Sequence, residues 1–296
     1  MSILIACNPK SGSGEGIVVG KKLLDHLKSL SYQVDFLQSE SKEHLQSALI
    51  ESACKYDLIF ICGGDGTFRD SIAAIQDSNY DVPLALVPAG SGNDFAKSFG
   101  IKGELSDLAE TYLKSKESLV QVTKCNEESF INVFGVGIDT AILERRLTFK
   151  RLKGSLAYLC ASLITLFRYR PRLYRITLDN EVLEDRYYII TVCSGKYFGG
   201  GMMIAPDADI YSNYFQVVMM RKSGLFQLLN AFINIYKGTH VKLPYVQSYF
   251  SGTVKIELLD GEEYYNLDGD IFTEKTALYI RKDDRRLIRL KKPYLD

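Results

Sequence analysis

The chain has 296 residues, enough for one large or two ordinary domains. Hydrophobic residues make up 46% and charged residues 24%, the balance of a soluble globular protein. Thirty-six basic and 36 acidic side chains cancel, so overall charge gives no argument for nucleic acid as a partner.

Ser2 to Cys7 is a short continuous apolar run, the pattern of a strand buried on both faces. It opens into Asn8-Pro9-Lys10-Ser11-Gly12-Ser13-Gly14, and a helix is predicted over roughly 17–31 with Val19, Leu23, Leu27 and Leu30 on one face. Residues 33–37 read as a strand and 42–55 as a helix carrying Leu45, Leu49 and Cys54. The apolar run Leu58-Ile-Phe-Ile61 then meets Cys62-Gly63-Gly64-Asp65-Gly66-Thr67, followed by a helix over 68–76. Residues 82–87 are the next strand, with Pro83 at its mouth, and they end in Pro88-Ala89-Gly90-Ser91-Gly92-Asn93-Asp94. Strands alternating with helices predict a parallel α/β sheet. All three polar, Gly-rich loops fall at the carboxyl ends of its strands, where such sheets bind ligands.

From about Val120 strand-like segments dominate, separated by Asp-Asn and Asp-Gly turns. They predict a mainly antiparallel second domain, a sandwich, interrupted by helices over 155–168 and 224–236. The longest apolar stretch, Leu156 to Phe167, is too short to span a bilayer, which takes about 20 residues. The start reads as a strand without a charged n-region, so no signal peptide is expected. Cysteines at 7, 54, 62, 125, 160 and 193 form no C-x-x-C pair and read as buried, reduced thiols. His26, His44 and His240 do not cluster with other ligands and are assigned no metal.

The Gly-rich loops match neither the P-loop nor the dinucleotide fingerprint. Their chemistry still suits a nucleotide. Backbone N–H groups and a helix start can hold phosphate, and Asn8, Ser11 and Ser13 can donate to it. Asp65 and Asp94 can hold Mg²⁺ through oxygens or waters. Thr67 stands where an N-cap hydroxyl would. A tight turn explains one such loop equally well, but not three at one sheet end.

Taken together these residues resemble the diacylglycerol-kinase-type lipid kinases, in the soluble bacterial branch related to sphingosine and ceramide kinases and to the NAD kinase superfamily. The resemblance is carried by Asn8-Pro9-Lys10-Ser11-Gly12, Gly63-Gly64-Asp65-Gly66-Thr67 and Gly90-Ser91-Gly92-Asn93-Asp94-Phe95-Ala96. It continues through Gly135-Val-Gly137-Ile-Asp139, Lys153-Gly154-Ser-Leu-Ala-Tyr158, Ile204-Ala-Pro206-Asp-Ala208 and Leu267-Asp268-Gly269.

The resemblance implies an N-terminal three-layer α/β nucleotide-binding domain over 1–120, joined again by the last residues from about 285. It implies a C-terminal β-rich sandwich domain over 121–284, with the active site in the cleft. ATP is expected on Asn8, Pro9, Lys10, Ser11, Gly12, Ser39, Gly63, Gly64, Asp65, Gly66, Thr67, Asp70, Ser91, Asn93 and Asp94, with Mg²⁺ organised by Asp65 and Asp94. Asp268 is the expected catalytic base, and Asp270 stands where the family commonly has Glu. A plain Asp-Gly hairpin turn accounts for the same residues.

Two departures stand out. Ser212-Asn213 replaces the family's usual Asp-Gly in a turn that holds a structural Mg²⁺ in some relatives, leaving Asp209, with Ser212 and Tyr214, as its ligands. Arg69 follows the Gly loop where relatives have Asn, and reads as a solvated helix residue. Arg168, Arg170, Arg172 and Arg175 beside apolar helices suit a membrane interface, although those helices equally well cover a core. The implied function is an ATP- and Mg²⁺-dependent lipid kinase acting on diacylglycerol, in the cytoplasm with contact to the inner face of the membrane. Another lipid or NAD as acceptor, a non-catalytic binding protein, and a homodimer are the alternatives left open.

Overall fold

The computed structural model describes residues 1–78, 80–149, 154–261, 263–274 and 277–295. Lys153 and the side chains of Ser13 and Arg286 lie outside the described residues. The chain divides into two units, Met1–Val122 with Asp283–Asp296, and Thr123–Lys282.

In the first unit the apolar runs become parallel strands. The elements are β1 (Ser2–Cys7), α1 (Glu15–Ser29), β2 (Gln33–Gln38), α2 (Lys42–Ser52), β3 (Leu58–Gly63), α3 (Asp65–Asp77), β4 (Leu84–Pro88), α4 (Asp94–Ser98), α5 (Leu105–Lys114) and β5 (Glu117–Cys125). The strand order is β4-β3-β1-β2, all parallel. β3 is buried at every position, because helices cover both faces of the sheet. On one face Leu23 and Leu27 of α1 and Leu108 and Tyr112 of α5 pack on Ile3, Ile5 and Phe60. Period-2 alternation sends Leu4, Ala6, Ile59 and Ile61 to the other face, also buried. The Tyr112 hydroxyl donates to the Leu86 carbonyl at 2.7 Å, satisfying its only buried donor.

The second unit contains β6 (Glu128–Phe130), β7 (Val133–Gly137), α6 (Ile138–Thr148), α7 (Gly154–Arg168), β8 (Arg172–Leu178), β9 (Glu181–Cys193), β10 (Phe215–Arg221), α8 (Leu225–Asn234), β11 (Val246–Ser251), β12 (Thr253–Leu258), β13 (Glu263–Leu267), β14 (Asp270–Glu274) and the start of β15 (Leu278–Lys291), whose residues from Asp283 on belong to the first unit. Its ladders are antiparallel, in the order β14-β13-β7-β9-β8-β12-β15, with β10 on β9 and β11 on β10. β9 works in two halves. Residues 181–187 pair with β8, and its last residues pair with both β7 and β10.

Two cores flank these strands. Along β10, Phe215, Val217 and Met219 enter one core, packed among strands, while Val218 and Met220 enter a second core with α6, α7 and α8. This explains why Phe215 to Met220 reads as a nearly unbroken apolar run: both faces of the strand are buried. The helices do cover a core. The thiols of Cys7, Cys62, Cys125 and Cys193 are buried as expected, but Cys54 is exposed. It falls in the turn after α2, whose helix ends at Ser52.

Phe60 sits at the centre of the first sheet with no exposed surface, edge-on to Tyr112. Truncating it leaves a cavity in a layer closed on both sides. Phe60→Ala is therefore expected to cost about 3–5 kcal/mol in chemical denaturation followed in the first unit. A loss below about 1 kcal/mol would mean that this layer is not the unit's core.

Candidate active site

Three loops in the first unit are built against one another. The first, after β1, is tied to the second through side chains: Asn8 Nδ2 donates to Thr67 Oγ1 at 3.2 Å, and the hydroxyls of Ser11 and Thr67 lie 3.0 Å apart. The second and third meet backbone to backbone. A Cβ on Gly90 would lie 2.6 Å from the Gly64 Cα, so Gly90 has no room for a side chain, and one on Gly64 would press on the Gly90 Cα at 3.1 Å. The third loop closes on itself, with Gly90 N–H donating to Asn93 Oδ1 at 2.9 Å and Asn93 Nδ2 donating to the Gly90 carbonyl at 2.8 Å.

Asp65 joins the second loop to the third. Its carboxylate accepts the backbone N–H of Asp94 at 3.1 Å and of Phe95 at 2.8 Å, the first free donors of α4. Burial pushes the Asp65 carboxyl above its usual value and the Asp94 charge adds to this, while the two amides and the Lys97 ammonium pull it back. Lys97 Nζ bonds Asp94 Oδ1 at 3.2 Å and the Gly92 carbonyl at 2.8 Å. Asp65 and Asp94 are thus two neighbouring carboxylates, one of them penalised when charged. That donor set fits a divalent cation which takes one or two carboxylates and completes its shell with waters and phosphate oxygens. Among the described residues there is no group of three or more acidic, His or Cys ligands, so the phosphates would have to supply the rest.

Several sequence expectations change here. α3 begins at Asp65 with Gly64 as its N-cap, so Thr67 lies inside the first turn and not at the cap; its hydroxyl ties two loops together. Arg69 is not a solvated helix residue. It is 4% exposed, and its guanidinium bonds Asp70 Oδ1 at 3.0 and 3.1 Å. Lys42 reaches the same oxygen at 3.0 Å, so Asp70 is the centre of an ion-pair cluster. Ser39 is buried, its N–H and hydroxyl both donating to the Cys7 carbonyl. Lys10 and Ser91 are exposed at the loop tips, and Pro9, Gly12 and Gly66 are half-buried. Gly63, at the end of β3, is buried, and a side chain there would collide with Thr67. Sequence reasoning missed Lys97; its spacing of three from Asp94 on a helix was the available signal.

In the second unit, Asp268 and Gly269 have φ of 50° and 91° and form the two-residue loop between β13 and β14. Positive φ at both positions defines the tight hairpin turn that Asp-Gly favours. The Asp268 carboxylate does not point idly into solvent. It accepts the backbone N–H groups of Ile131, Asn132 and Val133 at 2.9, 3.0 and 2.9 Å, fixing the hairpin to the start of β7. Asp270 is exposed at the start of β14. In the Asp209 turn, Asp209 Oδ1 accepts Tyr211 N–H and Ser212 Oγ accepts Tyr214 N–H, each at 3.0 Å. The turn's own backbone thus engages Asp209 Oδ1 and Ser212 Oγ, two of the oxygens expected to face a structural Mg²⁺.

A cavity lies between the strands and α6, α7 and α8 of the same unit, with about 60 Å³ in which the centre of a water-sized sphere can move. Its wall is apolar, with Ile142, Leu166, Met202, Met220, Leu228 and Phe232 among the residues, and among the described residues only Asp139 and His240 bring ionisable groups. Asn266 Nδ2 donates to Asp139 Oδ2 at 2.8 Å, to Thr140 Oγ1 at 3.1 Å and to the Gly135 carbonyl at 3.2 Å. Gly135 has to be glycine, since any Cβ would collide with the Asp139 carboxylate. Neither Asn266 nor the position of Asp139 in a cavity wall was readable from the sequence. His240 Nε2 bonds the Ile204 carbonyl at 3.0 Å and so carries the ring proton. Burial pushes its pKa down to about 4.

The comparisons agree with this architecture. Residues 2–125 match the diacylglycerol kinase catalytic domain, and residues 132–279 match the YegS C-terminal NAD kinase beta sandwich-like domain. The chain belongs to the diacylglycerol kinase family, in its form with a C-terminal β-sandwich domain, and is a kinase. A diacylglycerol kinase of Mycobacterium tuberculosis is 27% identical over 290 residues, covering 92% of each chain. One of Bacillus subtilis is 25% identical over 218 residues, covering 73% of this chain and 72% of its own. A crystal structure of a diacylglycerol kinase from Bacillus anthracis superposes with a TM-score of 0.74 at 20% identity, over 98% of this chain and 96% of that one. At that identity the likeness carries the fold alone. The family implies ATP as phosphoryl donor.

His240 gives the second unit a pH dependence. The unfolded chain takes up a proton near 6.5, whereas the folded ring resists it until about 4, so stability is lost as pH falls through this window. The loss is on the order of 3 kcal/mol. His240→Leu is expected to flatten the difference in unfolding free energy between pH 7 and pH 4, measured by urea titration. An unchanged slope would place the acid sensitivity elsewhere.

Proposed function

We propose that this chain is an ATP- and Mg²⁺-dependent lipid kinase that transfers the γ-phosphoryl group of ATP to the free hydroxyl of diacylglycerol, giving phosphatidic acid. The observation that carries the reading is the apolar cavity of the second unit, whose wall includes, among the described residues, a single carboxylate, Asp139, held by Asn266 two residues before Asp268. An acyl chain fits such a wall, and Asp139 can accept a hydrogen bond from a glycerol hydroxyl. The names of the relatives support the same acceptor.

In the first unit, the loop amides, Asn8, Ser11 and Thr67 bind and orient the triphosphate. Asp65 and Asp94 would hold Mg²⁺. When bound, that ion neutralises charge on the phosphate oxygens. Asp268 accepts the proton of the attacking hydroxyl. Three backbone N–H groups fix its carboxylate in place, which suits phosphoryl transfer, where positioning and charge stabilisation outweigh base strength. A second reading of the base is favoured by one observation. Asp139 itself lines the cavity, while backbone donors already engage both Asp268 oxygens. Sphingoid bases, monoacylglycerol or phosphatidylglycerol would fill the same cavity; NAD has no chain to fill it. The reading puts the enzyme in the cytoplasm, with its ATP.

Asp268→Asn is expected to leave ATP binding near normal and to cut phosphoryl transfer at least ~100-fold, read by a radiolabel assay well below the melting temperature of the variant. Wild-type-like turnover there, together with loss of turnover in Asp139→Asn, would pass the base to Asp139. A lipid-panel assay with mass-spectrometric readout tests the acceptor: labelled phosphatidic acid is expected, and phosphorylation of NAD without any lipid would overturn the reading. Ala231→Phe, which fills the cavity, is expected to lower turnover of long-chain diacylglycerol roughly 10-fold relative to a short-chain analogue. Equal effects on both chain lengths would remove the cavity as the acyl site.

A further inference from the structure

The helical layer of the second unit is apolar on two sides. α8 has no charged residue from Leu225 to Asn234. Its Leu228, Ala231 and Phe232 line the cavity. Its opposite side holds large apolar residues in water, with Phe226 88% and Ile233 69% exposed. Seven residues apart, these two share a helix face. α7 packs on α8 and adds Phe167, 63% exposed. Leaving a Phe or Ile in water forgoes roughly 1.5–3 kcal/mol that burial would recover, so a neighbouring set of them marks an interaction surface.

Charge identifies what covers it. Residues 221–245 contain no acid and four Lys or Arg, in a chain whose 36 acids and 36 bases balance overall. Arg221 is engaged by Asp185 at 2.7 Å. Lys222, Lys237 and Lys242 are exposed around the two ends of α8, and Arg168 is exposed beside Phe167. A second copy of this chain would bring this acid-free, basic patch against itself, since a two-fold interface uses the same patch on both partners. An apolar helix face rimmed by lysines instead matches the boundary of a bilayer carrying anionic headgroups. No helix among the described residues is long and apolar enough to cross a membrane, so this surface would lie in the interface.

We infer that the outer face of α7 and α8, with Phe226, Ile233 and Phe167 inserted and Lys222 and Lys237 on the headgroups, docks this protein on an anionic lipid bilayer. The inference deepens the lipid-kinase reading and rests on it only for its purpose, because docking can be measured without turnover. The same helices that line the cavity on one side would then meet the membrane on the other, giving a chain a short way in.

The test is co-sedimentation of the full chain, without ATP, with vesicles of phosphatidylcholine alone and of phosphatidylcholine mixed with phosphatidylglycerol. Binding is expected on the mixed vesicles and is expected to weaken with salt. The double variant Phe226→Glu/Ile233→Glu should lower it at least ~10-fold, and Lys222→Glu/Lys237→Glu roughly 10-fold or more. Melting temperature and turnover of a water-soluble short-chain diacylglycerol should stay as in the wild type for both. Vesicle binding untouched by both variants would overturn the inference. So would a wild-type dimer in sedimentation velocity that Phe226→Glu/Ile233→Glu dissociates, which would give the face to a second copy. Variant-sensitive vesicle binding in a protein with no turnover on any lipid would support docking and overturn the acceptor reading instead.

Discussion

The first unit depends on one carboxylate and two amides. Asp65 leaves the second glycine loop and takes the N–H groups of Asp94 and Phe95 from the third. Without it, the start of α4 would have unsatisfied donors, and the two loops would keep the contact of Gly64 with Gly90 and the Ala89 N–H bond to the Gly63 carbonyl at 2.8 Å. Burial makes the Asp65 charge costly, and the partners that offset the cost are the backbone groups that shape the loops. The loop conformation and the ionised side chain therefore support one another.

The second unit uses the same chemistry in a different setting. Asp268 lies in a hairpin turn and collects three consecutive amides from residues 131–133. Its own N–H donates to the Val133 carbonyl at 2.9 Å, so the hairpin and the start of β7 exchange bonds in both directions. A few residues away Asn266 distributes its amide between Asp139, Thr140 and the Gly135 carbonyl. Asp268 and Asp139 are thus each positioned by donors from another segment.

Much of the first unit was legible because its signals are local. Apolar runs gave the strands, and three glycine loops at their carboxyl ends gave the candidate site. What escaped the sequence was pairing at a distance. Arg69 looked exposed because charged helix residues usually are, yet Asp70 and Lys42 let it be buried. Thr67 looked like a cap because hydroxyls favour that position, but Gly64 is the cap and the helix starts at Asp65, three residues earlier than the run predicted from Phe68. Asp268 combined two readings that had seemed exclusive: it is both an Asp-Gly hairpin turn and a carboxylate held in a fixed place. The cavity was invisible, since its wall is drawn from strands and helices far apart in sequence, and the helical segments read equally well as plain core cover.

The alternation along β10 sets a rule for how this protein can diverge. Val218 and Met220 face the cavity, and Phe215, Val217 and Met219 on the reverse side belong to the core among the strands. A change to the strand wall shifts a pleat that both cores share, whereas Ile142, Leu166, Leu228 and Ala231 sit on helices that answer to one core only. On the proposed reading of the cavity as an acyl site, selection for a different chain length would remodel the helical side at low risk to the fold, and drift in lipid preference would concentrate in α6, α7 and α8 while the strand side stays nearly fixed.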